Sequence, residues 1–170
     1  MKLLFCGLGQ IAKRHIALIQ QYFPHYEIFA LRLQNKTPGP MPGVKELYRW
    51  EDVDLHTFAA AFITSPNHLH VAQALECARR GIPLFIEKPL GASWEGMENL
   101  LQLVREKKLQ TYVAYCFRFH PLVIEFKKRL EGKKILHSRV MFGSYMPGWR
   151  TKKNYKESYT VHREQGGGVI

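Results

Sequence analysis

Short apolar runs alternate with amphipathic segments over the first 120 residues, and this alternation restricts the fold more than any other sequence feature. Each run has the length of a buried strand, and the segments between runs carry apolar residues at helical spacing. Strands that alternate with helices form parallel sheets through right-handed crossovers. The sequence therefore predicts an α/β fold, a doubly wound parallel sheet with helices on both faces. The predicted strands are residues 2–6, 27–31, 59–64, 82–86 and 111–115.

Residues at the expected ends of helices support this division. Gly81 follows the second helical segment, at a position where a left-handed residue is favoured. Asn67 and Ser93 precede the second and third segments, and both residue types cap helix N-termini. Residues 35–43, which contain three prolines, are expected to form a loop.

The pattern changes after residue 120. Pro121 suits the first position of a helix with apolar residues at 122, 123, 126 and 130, and Gly132 is placed to end it. Residues 135–145 form the longest strand candidate, but a lone strand lacks partners for its backbone. We therefore predict two domains. Residues 1–120 form the doubly wound domain, and residues 121–170 begin an incomplete antiparallel α+β domain.

The charge distribution favours a solvated cationic surface over a nucleic-acid site. The formal net charge is +11, and residues 121–170 contribute 11 − 4 = +7 of it. A basic stretch can bind nucleic acid, but no zinc-finger spacing or RNA-binding aromatic motif accompanies it. The three cysteines form no CxxC pair, and no apolar run approaches the ~20 residues of a membrane span. We expect a cytoplasmic chain with reduced thiols, no metal site, and neither nucleic acid nor membrane as partner.

A GxGxxA pattern lies between the first strand and the first helix, in the sequence GLGQIA of residues 7–12. In a dinucleotide-binding turn, the first glycine allows the tight turn and the second lets a pyrophosphate approach the backbone. The helix N-terminus then presents free N–H groups to the anion. A plain tight turn is the alternative. In this context the pattern predicts a Rossmann-type cofactor site, with contacts from Gly7, Leu8, Gly9, Gln10 and Ile11.

The end of the second strand lacks the carboxylate expected of an NAD site. An Asp or Glu about 20 residues after the glycines normally binds the ribose hydroxyls, whereas residues 31–36 read LRLQNK. Arg32 can pair with a 2′-phosphate or stack on adenine, because a guanidinium matches phosphate geometry. The alternative is a surface arginine beside the cofactor pocket. We therefore expect NAD or NADP as the cofactor, with a modest preference for NADP.

Four segments together resemble the glucose-fructose oxidoreductase / inositol dehydrogenase (Gfo/Idh/MocA) family. They are GLGQIAKRH at 7–15, SPNHLH at 65–70, IEKPL at 86–90 and RFHP at 118–121; MPGWR at 146–150 and the closing GGGVI are also similar to that family. The resemblance implies an NAD(P)-dependent oxidoreductase that moves a hydride between nicotinamide and a hydroxyl-bearing carbon of a sugar or cyclitol. It also implies an antiparallel second domain and a homo-oligomer in the full-length protein.

The resemblance implies roles for individual residues. Lys88 of the EKP segment corresponds to the catalytic lysine, which lies at the nicotinamide and hydrogen-bonds the reacting hydroxyl. Pro89 corresponds to a residue that follows a cis peptide. The implied substrate contacts are Lys88, Arg118, Trp149 and Arg150. The further implied cofactor contacts are Thr64, Ser65, Pro66, Asn67, His70, Glu87 and Lys88.

One element of the family's pattern does not occur before Ile170. The resemblance places an Asp and a His on a helix after the glycine-rich segment, and the His commonly handles the proton. Loss of such a group costs about 10²–10⁴-fold in rate. We therefore expect the 170 residues to bind cofactor but to catalyse poorly. The alternative function is a non-catalytic NAD(P)-binding sensor or regulatory module, since fold does not determine function.

Overall fold

Six parallel strands form the centre of the described part of the molecule. The structure is a computed structural model, and it describes residues 1–32, 41–53, 58–145, 156 and 158–168. The strand order is β3-β2-β1-β4-β5-β6, so the direction of winding reverses between β1 and β4. The strands are β1 (Lys2–Cys6), β2 (Glu27–Leu31), β3 (Val44–Leu47), β4 (Phe58–Ile63), β5 (Leu84–Ile86) and β6 (Thr111–Val113).

Helices cover both faces of this sheet, as the alternating pattern predicts. Helix α1 (Gln10–Tyr22) packs on one face through the buried side chains of Ala12 and Ile16. Helices α2 (His70–Arg79) and α3 (Met97–Glu106) pack on the other face. The predicted doubly wound α/β fold is therefore confirmed. No helix in the described part of the chain has the length and apolar character needed to cross a membrane.

The sequence correctly marks some helix ends and misplaces others. Gly81 has a φ of +73° just after α2, and Pro121 begins α4 (Pro121–Leu130). The prediction for Ser93 is wrong, because α3 starts only at Met97 and the Ser93 hydroxyl instead accepts from the Glu95 N–H at 3.4 Å. The capping role predicted for Asn67 is also wrong. This residue lies inside a 3₁₀ turn that precedes α2, and its amide bonds elsewhere.

The strand predicted over residues 135–145 is absent, which is a correction to the sequence analysis. A strand exists only when another strand satisfies its backbone groups, and no described residue pairs with this segment. Helix α4 forms as predicted, but most of its apolar side chains remain exposed, including Leu122 and Phe126. The antiparallel domain is therefore not seen in the described residues, and the division into domains at residue 120 stays a prediction.

Strand β3 was missed by the sequence analysis. Its four residues, VKEL, carry two charges and none is buried, so they lack the apolar run of the other strands. The strand pairs with β2 at the sheet edge, where Ala30 lies opposite Glu46. Edge position explains the composition, because one side of such a strand faces solvent. This short strand contributes a carboxylate to the site described below.

Candidate functional site

The glycine-rich turn is held tightly at the carboxyl end of β1. Gly7 has a φ of +95°, and its N–H donates to the Leu31 carbonyl at 2.9 Å. A Cβ added to Gly7 lies 3.0 Å from the Cα of Ser65, so a larger residue collides with the backbone after β4. The Thr64 hydroxyl donates between the carbonyl oxygens of Cys6 and Gly7, at 3.1 and 3.0 Å. Gly7 is thus fixed between the ends of β2 and β4.

Helix α1 begins immediately after this turn, with an N-terminus suited to an anion. Gly9 is the N-cap, no side chain of the described residues caps the first turn, and that turn contains no acidic residue. The first N–H groups of a helix lack intrahelical acceptors and carry a partial positive charge. A Cβ at Gly9 meets only the Thr64 carbonyl oxygen, at 4.0 Å, so the approach to these N–H groups is open. The exposed Gln10 and Ile11 and the half-buried Leu8 border it. These residues fit a pyrophosphate.

Three further segments reach the same edge of the sheet. Residues 65–67 follow β4, residues 87–89 follow β5, and the 3₁₀ turn Cys116–Phe119 follows β6. Lys88 is exposed there, and the Lys88–Pro89 peptide is cis, as the resemblance implies. Since all the strands are parallel, their carboxyl ends form one crevice beside the reversal of strand order, where open α/β sheets bind ligands.

His70 joins two of these segments from beneath. Its ring is buried, with Nε2 2.8 Å from the Ser65 carbonyl oxygen and Nδ1 2.8 Å from the Pro89 carbonyl oxygen. Both ring nitrogens therefore face backbone groups of the two loops. The geometry makes His70 a positioning residue that fixes the distance between the loop after β4 and the turn that contains Lys88.

The other polar residues after β4 also bond within the protein. The Ser65 hydroxyl donates to the Gln73 side-chain oxygen at 2.7 Å, and the Asn67 amide donates to the Gly166 carbonyl at 2.8 Å. A Cβ added to Gly166 lies 2.9 Å from the Cβ of Asn67, so the glycine-rich segment packs closely here. Pro66, between Ser65 and Asn67 in the sequence, is half-buried. The turn over residues 163–168 therefore borders the crevice at the end of β4.

Glu87 has a partner that the sequence analysis did not identify. His15 of α1 lies 2.8 Å from Glu87 through Nε2 and Oε1, and their side chains are 23% and 13% exposed. The His15 ring also meets the edge of Phe85 at a centroid distance of 5.4 Å. This contact joins α1 to the segment that carries Lys88. His15 is the last residue of the GLGQIAKRH segment, but nothing in the sequence indicated its contact with Glu87, which lies 72 residues away.

Arg32 also has an unforeseen partner, on β3. Its Nη1 donates to both carboxylate oxygens of Glu46, at 2.8 and 2.9 Å, and both side chains are 12% exposed. The Tyr48 hydroxyl donates to the same carboxylate at 2.6 Å. These bonds, that of Tyr48 foremost, lower the pKa of the Glu46 carboxyl. A carboxylate therefore does stand beside the end of β2, although it comes from another strand.

Of the predicted substrate residues Arg118, Trp149 and Arg150, the structure describes only Arg118. Arg118 is exposed in the 3₁₀ turn after β6, and its guanidinium forms no hydrogen bond or ion pair with the described residues. Trp149 and Arg150 lie outside the described residues. Within the described part of the chain, no three metal-binding side chains come together.

A glycine turn, an open helix N-terminus and a crevice at the reversal of strand order define a dinucleotide-binding Rossmann domain. Residues 1–115 match the Gfo/Idh/MocA oxidoreductase family, which is described by its NAD-binding Rossmann fold. The match covers more than half of the chain. The protein therefore belongs to the Gfo/Idh/MocA family of oxidoreductases.

Individual relatives agree with this assignment. The levoglucosan dehydrogenase of Pseudarthrobacter phenanthrenivorans is 29% identical over 117 residues, which are 69% of this chain and 29% of that protein. The 2,7-anhydro-N-acetylneuraminate hydratase of Mediterraneibacter gnavus is 25% identical over 124 residues, 73% of this chain and 31% of that protein. The chain thus spans about 30% of the length of these relatives.

A solved structure shows the same arrangement. The scyllo-inositol dehydrogenase of Lactobacillus casei, with bound NAD(H) and scyllo-inositol, has a TM-score of 0.61 and 25% identity. The alignment covers 76% of this chain and 40% of that one.

Replacement of His70 tests its role in joining the two loops. His70→Ala removes the ring that contacts the Ser65 and Pro89 carbonyl groups and opens a buried space, so we expect the free energy of unfolding to fall by about 2–4 kcal/mol. The matched control is His68→Ala, because His68 is exposed and its contact from Nδ1 to the Gln165 carbonyl oxygen is long at 3.3 Å. It should cost about 0.5 kcal/mol or less. Urea unfolding followed by circular dichroism measures both, and equal losses would contradict the assignment.

Proposed function

We propose that this chain binds a nicotinamide dinucleotide across the carboxyl edge of its sheet. The observation that carries the proposal is the uncapped N-terminus of α1 immediately after the tight turn at Gly7. In this arrangement the pyrophosphate lies against Gly9 and accepts from the N–H groups of the first turn of α1. The segments after β4 and β5 then border the nicotinamide, with Glu87 and Lys88 nearest to it.

The proposed reaction is hydride transfer to or from a carbon that bears a hydroxyl group. The nicotinamide, when bound, supplies the hydride acceptor or donor. Lys88 is the proposed catalytic residue, since its side chain is exposed two residues after the end of β5. Its ammonium group donates a hydrogen bond to the substrate oxygen and stabilises the negative charge that develops there during hydride transfer. Glu87, held by His15, orients the cofactor ribose and the adjacent lysine.

We propose a sugar or cyclitol as substrate of the full-length protein. The names of two relatives, a levoglucosan dehydrogenase and a scyllo-inositol dehydrogenase, support this class. Arg118, Trp149 and Arg150 are proposed substrate contacts, because arginine can bind polar oxygen groups and tryptophan can stack on a sugar ring. A homo-oligomer of the full-length protein is part of the same proposal. The modest preference for NADP over NAD stays a prediction that depends on Arg32.

Gly9 offers a substitution that separates cofactor binding from folding. Its backbone is extended (φ −76°, ψ −174°) and a Cβ there meets no close neighbour, so Gly9→Val is compatible with the fold. The valine side chain obstructs the pyrophosphate path, and we expect at least a tenfold loss of NADH affinity, about 1.4 kcal/mol. Gly143→Val is the control, since no atom lies within 4 Å of an added Cβ. Calorimetric titration measures affinity, and unchanged affinity in Gly9→Val would place the cofactor elsewhere.

Lys88 is tested in the full-length protein with a panel of sugars and cyclitols. We expect Lys88→Met to lower kcat by about 10²–10⁴-fold, because the group that stabilises charge on the substrate oxygen is lost. Lys127→Met on the exposed face of α4 is the control. Absorbance of the reduced nicotinamide reports turnover.

One outcome of this assay would contradict the catalytic proposal, and another would contradict the expectation for the 170 residues alone. A full-length protein that binds cofactor and oxidises no member of the panel supports the alternative of a sensor or regulatory module. Robust turnover by the 170 residues alone would overturn the expectation that they bind cofactor but catalyse poorly.

A further inference from the structure

The ion pair between Arg32 and Glu46 lies where the cofactor's adenosine ribose is expected. Arg32 is the residue directly after β2, and its N–H donates to the Leu47 carbonyl at 2.9 Å. The preceding residue, Leu31, accepts the hydrogen bond from Gly7 in the glycine turn. In Rossmann domains the residue at this end of the second strand recognises the ribose 2′ position. The pair therefore belongs to the part of the crevice that distinguishes NAD from NADP.

Glu46 neutralises the guanidinium in this pair. Both of its carboxylate oxygens lie within 2.9 Å of Arg32 Nη1, and the side chains are only 12% exposed, so water screens the pair weakly. The Tyr48 hydroxyl holds the carboxylate in place, and the pKa of Glu46 is lowered by these bonds, which keeps the group ionised near neutral pH. A 2′-phosphate that enters the crevice meets a guanidinium that already bonds to both oxygens of the Glu46 carboxylate. That carboxylate is negatively charged, as the phosphate is.

We propose that Glu46 is a specificity-determining residue that opposes binding of the 2′-phosphorylated cofactor. The inference rests on the proposed dinucleotide site. Arg32 attracts the 2′-phosphate of NADP, whereas Glu46 competes for the same guanidinium and repels the phosphate. The attraction by Arg32 and the repulsion by Glu46 are both much weaker for the 2′-hydroxyl of NAD, because a hydroxyl carries no charge. The two residues together set the ratio of NADP to NAD affinity, and Glu46 keeps any preference for NADP modest.

The sequence alone could not suggest this role. Strand β3 reads VKEL and was not recognised as a strand, and Glu46 lies 14 residues from Arg32. The register that places Ala30 opposite Glu46 brings the carboxylate beside the end of β2. A carboxylate that is missing from the expected position on β2 is thus supplied from the neighbouring strand.

Glu46→Gln is the most direct test, because glutamine keeps the shape and a hydrogen-bond acceptor but removes the charge. The chain offers a matched control in Glu27→Gln. Glu27 also pairs across β2 and β3, to Lys45 at 2.7 Å, but it lies at the amino end of β2, away from the crevice. Arg32→Gln completes the set, since it removes the group that attracts the phosphate.

Calorimetric titration of each variant with NAD and with NADP gives the ratio of the two dissociation constants. We expect Glu46→Gln to shift this ratio toward NADP by about tenfold, or about 1.4 kcal/mol. Glu27→Gln should leave the ratio within about twofold, because no charge in the crevice changes. Arg32→Gln should shift the ratio toward NAD. An unchanged ratio in Glu46→Gln, or a shift toward NAD, overturns the proposal.

The double variant Arg32→Gln/Glu46→Gln keeps the test decisive if Glu46→Gln, which removes the Arg32–Glu46 ion pair, does not fold. It contains neither charge, and circular dichroism checks its fold. The proposal requires it to bind NADP more tightly than Arg32→Gln alone, because the repulsion between carboxylate and phosphate is gone; equal or weaker binding contradicts the proposal. Failure of the wild-type chain to bind either cofactor is a distinct result, since it refutes the proposed dinucleotide site itself.

Discussion

The close fit of Gly7 between the ends of β2 and β4 is the constraint on which the remainder of the site depends. The residue bonds to Leu31 on one side and has no room for a side chain against Ser65 on the other. A turn of this kind starts α1 directly above the point where the strand order reverses. The helix N-terminus and the loops after β4 and β5 then face one another across a single crevice.

Two histidines connect the parts of that crevice. His70 bonds to the loops after β4 and β5 from within the protein, and His15 joins α1 to Glu87 beside Lys88. Helix α1 and the lysine-bearing turn are therefore linked through side chains as well as through the sheet. Hydrogen bonds of this kind, made within the protein, fix the site geometry before any ligand arrives, which reduces the cost of binding.

Local patterns predicted the fold well, whereas contacts between distant residues were not predictable. The alternation of apolar runs identified five of the six strands, and the glycine pattern located the start of α1, because both signals are contained within a few residues. Edge strand β3 was not predicted, because its composition is polar. The partners of Glu87 and Arg32 depend on strand register and helix packing, which one sequence does not contain. Residues 135–145 have strand character, but pairing decides whether a strand forms.

The proposed position of the cofactor's phosphates, at the N-terminus of α1, is the claim on which the whole site depends. Backbone amide chemical shifts, measured by NMR as NADH is added to the 170-residue chain, are its sharpest test. We expect the largest shifts at the amides of residues 7–12, with a second group at residues 87 and 88. Saturable binding that leaves residues 7–12 unchanged, with the largest shifts in the basic residues after 120, would contradict it.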